Sequence, residues 1–167
     1  VELKNYKTYN QKPLLLFESD TTTFGLNFFA QNMDISTNGL FFEPLQDKPG
    51  KISFRLKTTG AGYVEYQYQL PEDGYLLDFS IRLSNMDQVI ASNTNYLELD
   101  WKQNIYKKEK SVEAERNNST IYFKYPSDEA DYLSETSDDS DNLPTKVKWV
   151  SFKHQYFNTT LIAKNEF

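Results

Sequence analysis

The sequence predicts an all-β fold, an antiparallel β-sandwich of two stacked sheets in a single domain spanning 1–167. Three observations point there. Runs of strictly alternating apolar and polar residues are joined by short turn sequences. Aromatic residues are abundant, with 12 Tyr and 12 Phe among 167 residues, and such side chains suit a pleated, half-buried surface. No segment carries an apolar stripe at helical spacing long enough to pack as a layer.

Residues 1–50 are irregular in pattern. Leu14 with Leu16, and Phe24 with Leu26 and Phe28, predict two short strands separated by the turn cluster Ser19-Asp20-Thr21-Thr22-Thr23. Asn38-Gly39 is a turn signal just ahead of Leu40-Phe41-Phe42, and Asp47-Lys48-Pro49-Gly50 closes the region.

The clearest pattern follows. Ile52, Phe54 and Leu56 alternate with Ser53, Arg55 and Lys57, and Thr58-Thr59-Gly60-Ala61-Gly62 makes the bend. Val64, Tyr66, Tyr68 and Leu70 line one face of the next strand, with Glu65, Gln67 and Gln69 on the other. After Pro71-Glu72-Asp73-Gly74, Leu77, Phe79, Ile81 and Leu83 alternate with Asp78, Ser80 and Arg82. These runs predict an antiparallel meander with one wet face.

Residues 84–95 read as a polar loop, and Leu97, Leu99 and Trp101 as a further strand. Between Lys107 and Glu115 helical propensity without an apolar stripe supports one or two exposed turns. Ile121, Phe123 and Tyr125 predict another strand, ended by Pro126. The acidic segment from Asp128 to Asp141 reads as a surface excursion. The stretch Lys146 to Ala163 is free of Gly, Pro and acidic residues and rich in β-branched and aromatic side chains, so it predicts one long strand. Its apolar residues change phase midway, which a bulge or burial on both faces would accommodate.

Composition narrows the function. A net charge of −6 with Arg55, Arg82 and Arg116 as the only arginines lacks the electrostatic footprint of a nucleic-acid binder or of a polybasic lipid-binding patch. The absence of Cys removes disulfides, thiolate nucleophiles and thiolate metal sites. No apolar run approaches the ~18 residues that span a bilayer. Val1 is not preceded by a start Met or signal core, so any targeting segment is expected to have been removed or to lie upstream.

Nor does the chain present a catalytic kit. His154 is the only histidine, no Gly-x-Ser-x-Gly elbow is present, and metal sites usually recruit more than one His or Cys. His154 therefore reads as a structural strand residue. Asp138-Asp139-Ser140-Asp141 lacks the Gly and distal Glu of a calcium loop and reads as solvated. Tyr63, Tyr66, Tyr68 and Tyr75 could form a sugar-stacking platform or be ordinary sheet residues, and exposure of their rings decides between the two. Glycosylation sequons at Asn117-Asn118-Ser119-Thr120 and Asn158-Thr159-Thr160 carry little information, because the motif is short. No catalytic, cofactor-binding or metal-ligating residue is predicted, no cofactor is expected, and binding residues are left unassigned.

Trp149-Val150 followed by Gln155-Tyr156-Phe157 resembles a signature of the large periplasmic domain of the YidC membrane-protein insertase family. The runs from Tyr63 to Leu70 and from Tyr75 to Ile81 resemble paired strands of that domain, and the likeness in motif order spans nearly the whole chain. The resemblance implies a supersandwich similar to galactose mutarotase, an inner-membrane anchor elsewhere in the protein, and a position on the periplasmic side. It implies contacts with accessory subunits of the Sec translocon and with nascent membrane proteins. No catalytic residue is carried over, and a non-enzymatic scaffold is expected. A carbohydrate-binding or mutarotase-like module is the alternative, although one His gives little for sugar epimerisation. Family members extend beyond both ends of this segment. A fragment with an uncovered sheet edge is therefore expected, able to pair with a second copy.

Overall fold

The computed structural model describes residues 1–18, 20–30 and 32–167, with side chains at 46 and 47 left aside. Two compact units make up the chain, one from Val1–Thr22 with Lys102–Phe167 and one from Thr23–Trp101. The expected all-β antiparallel class is observed. Among the described residues the strands divide into four sheets rather than two, an arrangement consistent with a β-sandwich.

In the Thr23–Trp101 unit, β3 (Thr22–Ala30) lies between β4 (Met33–Ser36) and β9 (Glu98–Gln103), numbering all strands in chain order. The last two residues of β9 fall in the other unit. The second sheet here has the order β5-β6-β7-β8, with β5 at Glu43–Lys48, β6 at Lys51–Lys57, β7 at Tyr63–Gln69 and β8 at Asp78–Ser84. The meander β6-β7-β8 is the one the alternation predicts, and its register places Ile52 opposite Tyr68, Phe54 opposite Tyr66 and Tyr66 opposite Ile81. Leu26, Phe28, Ala30, Val64, Tyr66 and Met86 form the buried core, flanked by Phe42, Phe54, Tyr68 and Phe79. Aromatic rings knit it together. Phe42 stacks on Tyr66 at 4.9 Å, and Phe79 meets Tyr66 edge-on at 5.9 Å.

The other unit holds two sheets. A ribbon pairs β1 (Glu2–Lys7) with β2 (Pro13–Leu15), and a four-stranded sheet runs β11-β10-β12-β13. These last strands are Thr120–Lys124 for β10, Ala130–Tyr132 for β11, Trp149–Lys153 for β12 and Asn158–Ile162 for β13. A five-residue helix, α1 (Val112–Arg116), is capped by Ser111, whose Oγ accepts the Ala114 N–H at 3.1 Å. The expected short helical turn is therefore present.

Several local expectations are overturned. The stretch 146–163 is a hairpin rather than one strand. The His154 N–H donates to the Phe157 carbonyl at 2.7 Å, which reverses the chain between β12 and β13 and produces the change of phase without a bulge. The acidic segment lies largely at the surface as expected, but it contributes an exposed strand, β11, paired residue for residue with β10 from Tyr122–Tyr132 to Lys124–Ala130. The described part of residues 1–50 holds five strands rather than two. Of the expected turn cluster at 19–23, Thr22 and Thr23 open β3, and Ser19 lies outside the described residues. The turn expected at Asn38-Gly39, by contrast, is present as a 3-10 turn, Thr37–Gly39. Leu77 precedes β8 and is exposed instead of facing the core. The face of the meander read as wet contains Ser53 and Glu65, both buried, so it is only partly solvated.

Candidate functional site

The polar face of the meander centres on Glu65. Antiparallel register sets it beside Arg55 on one neighbouring strand and Arg82 on the other. Arg55 Nε donates to Glu65 Oε2 at 2.6 Å, Arg55 Nη2 forms an ion pair with the same oxygen, and Gln67 Nε2 donates to Oε1. Burial alone would raise the Glu65 pKa, but the bonds from Arg55 and Gln67 and the charges of Arg55 and Arg82 outweigh it and hold the carboxyl below its ordinary value. The Arg55 guanidinium also lies 4.3 Å from the centre of the Tyr63 ring. Glu65, Arg55 and Gln67 are each committed to a neighbour in this cluster, which ties adjacent strands of the meander together.

The tyrosines divide in the same way. Tyr66 is buried, and its hydroxyl lies 3.2 Å from the Leu26 N–H that it accepts and 3.0 Å from Thr37 Oγ1. Desolvation, followed by the neighbouring Tyr66, pushes the Tyr68 phenol up to about 12. Tyr63 lies under Arg55, and Tyr75 is the exposed member of the four. Tyr66 and Tyr68, packed in or against the core, are not open to stack on a sugar.

In the other unit the buried polar groups are Lys108, Glu115, Ser151 and His154. Glu115, projecting from α1, accepts the Lys108 N–H at 3.0 and 2.9 Å and the Glu109 N–H at 3.2 Å, so it closes a loop rather than facing a histidine. The Lys108 ammonium donates to the Tyr106 carbonyl at 3.1 Å, and burial lowers its pKa against the opposing pull of Glu115 and Glu18. His154 sits in the β12–β13 turn, 2% exposed. Gln103 Nε2 lies 3.4 Å from its Nε2 and 3.2 Å from the Leu16 carbonyl. An amide NH2 only donates, so the imidazole accepts at Nε2 and keeps its proton on Nδ1, which has no partner among the described residues. Desolvation, then the Lys108 charge, pulls the His154 pKa down to about 4. The ring is therefore neutral at physiological pH. It is buried structure, as the sequence suggests, though in a turn rather than a strand.

The acidic residues 138–141 lie on exposed backbone, where the Asp139 side chain accepts the N–H groups of Ser134 and Ser140 at 2.7 and 2.8 Å. Among the described residues, no group of three or more His, Cys, Asp or Glu could hold a metal ion. Asn117 caps the end of α1 and Asn158 opens β13. An open hollow of about 550 Å³ is lined by Tyr125, Pro126, Asp128, Thr145, Lys146 and Glu166, with Lys146 and Glu166 paired at 3.4 Å across its rim. Sequence reading singled out neither this hollow nor the Glu65 cluster. The second could have been found by setting the three strands in register, which aligns Arg55, Glu65 and Arg82.

An antiparallel β-sheet module with its buried charges tied to their neighbours is the class that this geometry defines: it offers surfaces and edges. The family model for the YidC periplasmic domain matches residues 1–167, and the chain belongs to that family. It is similar to proteins named membrane protein insertase YidC. One from Porphyromonas gingivalis is 34% identical over 100% of this chain and 27% of its own length. One from Parabacteroides distasonis is 33% identical over 99% of this chain and 26% of its own length. A third, from Bacteroides fragilis, is 31% identical over 99% of this chain and 27% of its own length. The chain thus spans about a quarter of the length of the curated relatives it matches. No solved structure gives a significant match.

Proposed function

We propose that this chain serves as a non-catalytic scaffold on the periplasmic side of the inner membrane, within a membrane-protein insertase that handles nascent membrane proteins. Its 167 residues act as one periplasmic domain. They work through protein contacts, with accessory subunits of the Sec translocon as the principal partners. The observation that carries the reading is the match of the periplasmic-domain family across the whole chain. The intramolecular commitments of Glu65, Glu115 and Lys108 support it, since they leave these charged groups to hold loops and register.

Contact is assigned to the hollow beside Lys146 and to the edge strands β8 and β13, each with a hydrogen-bonded strand neighbour on one side only among the described residues. An edge can also take a second copy of the fragment. The test is photo-crosslinking in the full-length insertase, with a photoreactive residue placed in turn at Lys146, Arg82 and Thr160. Adducts with Sec accessory subunits or nascent chains, at one or more of these positions and not at Asn10, are expected. Uniform absence of adducts alongside normal insertion activity would overturn the scaffold reading. Turnover of a free sugar by the isolated chain would overturn its non-catalytic part.

A further inference from the structure

The apolar face of the meander runs past the core it serves. Ile52, Leu70 and Leu77 continue the phase of Phe54, Tyr68 and Phe79, yet all three are exposed, Leu70 at 63% and Leu77 at 48%. Leu70 and Leu77 lie one residue beyond the last register pair, Gln69–Asp78. The connection adds Tyr75 at 74% and Leu76 at 72%. Gly74, at φ +96°, turns the chain just before them, and the Leu70 N–H donates to the Gly50 carbonyl at 2.7 Å, tying this tip to the β5–β6 turn. Large apolar side chains gathered at one loop end form the kind of exposed patch that marks an interaction site.

We propose that this tip, Leu70 with Tyr75-Leu76-Leu77, inserts into the interfacial layer of a lipid bilayer. The inference rests on the reading that the domain works beside the inner membrane. Shape and chemistry select lipid over protein. The run Tyr75-Leu76-Leu77 is uncharged and sits at a hairpin end, where it can wedge between head groups without needing a complementary groove. A tyrosine beside leucines matches the interfacial layer, because its ring is apolar and its hydroxyl reaches water. Asp47, Lys48 and Lys51 border the adjoining turn, Glu72 and Asp73 lie between Leu70 and Tyr75, and Asp78 follows, so the local charge is negative. Insertion is therefore driven by apolar burial and not by anionic lipid.

The chain has no cysteine, so Leu76→Cys gives a single attachment point for an environment-sensitive fluorophore, with Ser137→Cys as the control site. Vesicles of pure phosphatidylcholine should blue-shift the label at 76 and leave the label at 137 unchanged. Replacing part of the lipid with phosphatidylglycerol should leave binding no stronger. In flotation with the same vesicles, the unlabelled double variant Leu76→Ser, Leu77→Ser should lose about tenfold or more of its bound fraction while melting at the same temperature. Equal flotation of the two proteins, or an unmoved label at 76, would overturn the inference. So would a blue shift that tracks protein concentration without vesicles, which would assign the tip to a second copy. Sec crosslinks that persist when flotation fails would leave the scaffold reading standing and remove this one alone.

Discussion

The two compact units solve the same problem with different materials. Thr23–Trp101 builds an apolar core in which aromatic rings from β7 and β8 pack with Leu26 and Phe28, and among the described residues its buried charge is Glu65, on the opposite face of the meander. The unit from both chain ends buries Leu14, Leu16, Phe123 and Val147, and with them Lys108, Glu115, Ser151 and His154. Burial of a polar group is tolerable only when its bonds are replaced. The first unit should therefore be sensitive to lost volume, and the second to lost partners and to protons.

The largest effect belongs to the aromatic core. Tyr66→Ala removes a ring packed on Phe42 and Phe79 and the hydroxyl held between Leu26 and Thr37, and should cost about 4 kcal/mol in denaturant unfolding. A loss below about 1 kcal/mol would mean that the core is looser than its packing implies.

Acid should select the other unit. The imidazole of His154 ionises at about 4 in the fold against 6.5 unfolded, so the unfolded chain binds the extra proton first. The stability it contributes is complete above pH 6.5 and drains away as pH falls toward 4, by roughly 3 kcal/mol at most. Thermal melts of the wild type and of His154→Gln across that window should converge as the pH drops. Parallel curves would refute the assignment.

Glu65→Gln comes next, because it leaves Arg55 without its carboxylate on a partly solvated face. About 2 kcal/mol is expected, less than for a fully buried pair since the Arg55 side chain remains 31% exposed. Here too the loss should be read by chemical denaturation, with Arg55→Lys as a milder companion. Smallest is Ser111→Ala, which uncaps α1 and should lower stability by about 1 kcal/mol or less, visible as faster hydrogen exchange at Ala114.

The same contrast explains what sequence reading could see. Alternation is a signal only where one face is apolar along the whole strand, as from Ile52 to Leu56 and from Val64 to Tyr68. The ribbon strand Glu2–Lys7 buries almost nothing, and β5 carries Pro44, so neither displays that pattern. The β12–β13 turn, running from His154 through Gln155 and Tyr156 to Phe157, contains no Gly, Pro, Asn or Asp, and nothing in its composition announces a reversal. Buried Lys108 and Glu115 were invisible for a different reason. Charged residues in a polar stretch look solvated until a helix cap and a loop bring the carboxylate onto two backbone N–H groups. The hollow is lined by residues distant in sequence, from Tyr125–Asp128, Thr145–Lys146 and Glu166, which no local pattern connects.

The interleaving of the units has a kinetic corollary. Thr23–Trp101 is one uninterrupted segment, whereas its companion needs the first 22 residues and the last 66 together. On a chain delivered from its N-terminus, the central segment can finish folding while β10 to β13 have yet to emerge. Because β3 and β9 are hydrogen-bonded neighbours, completing that segment draws its two ends side by side. The long closure that the discontinuous unit would otherwise face is thereby shortened. A variant that folds the meander slowly should therefore delay the discontinuous unit as well.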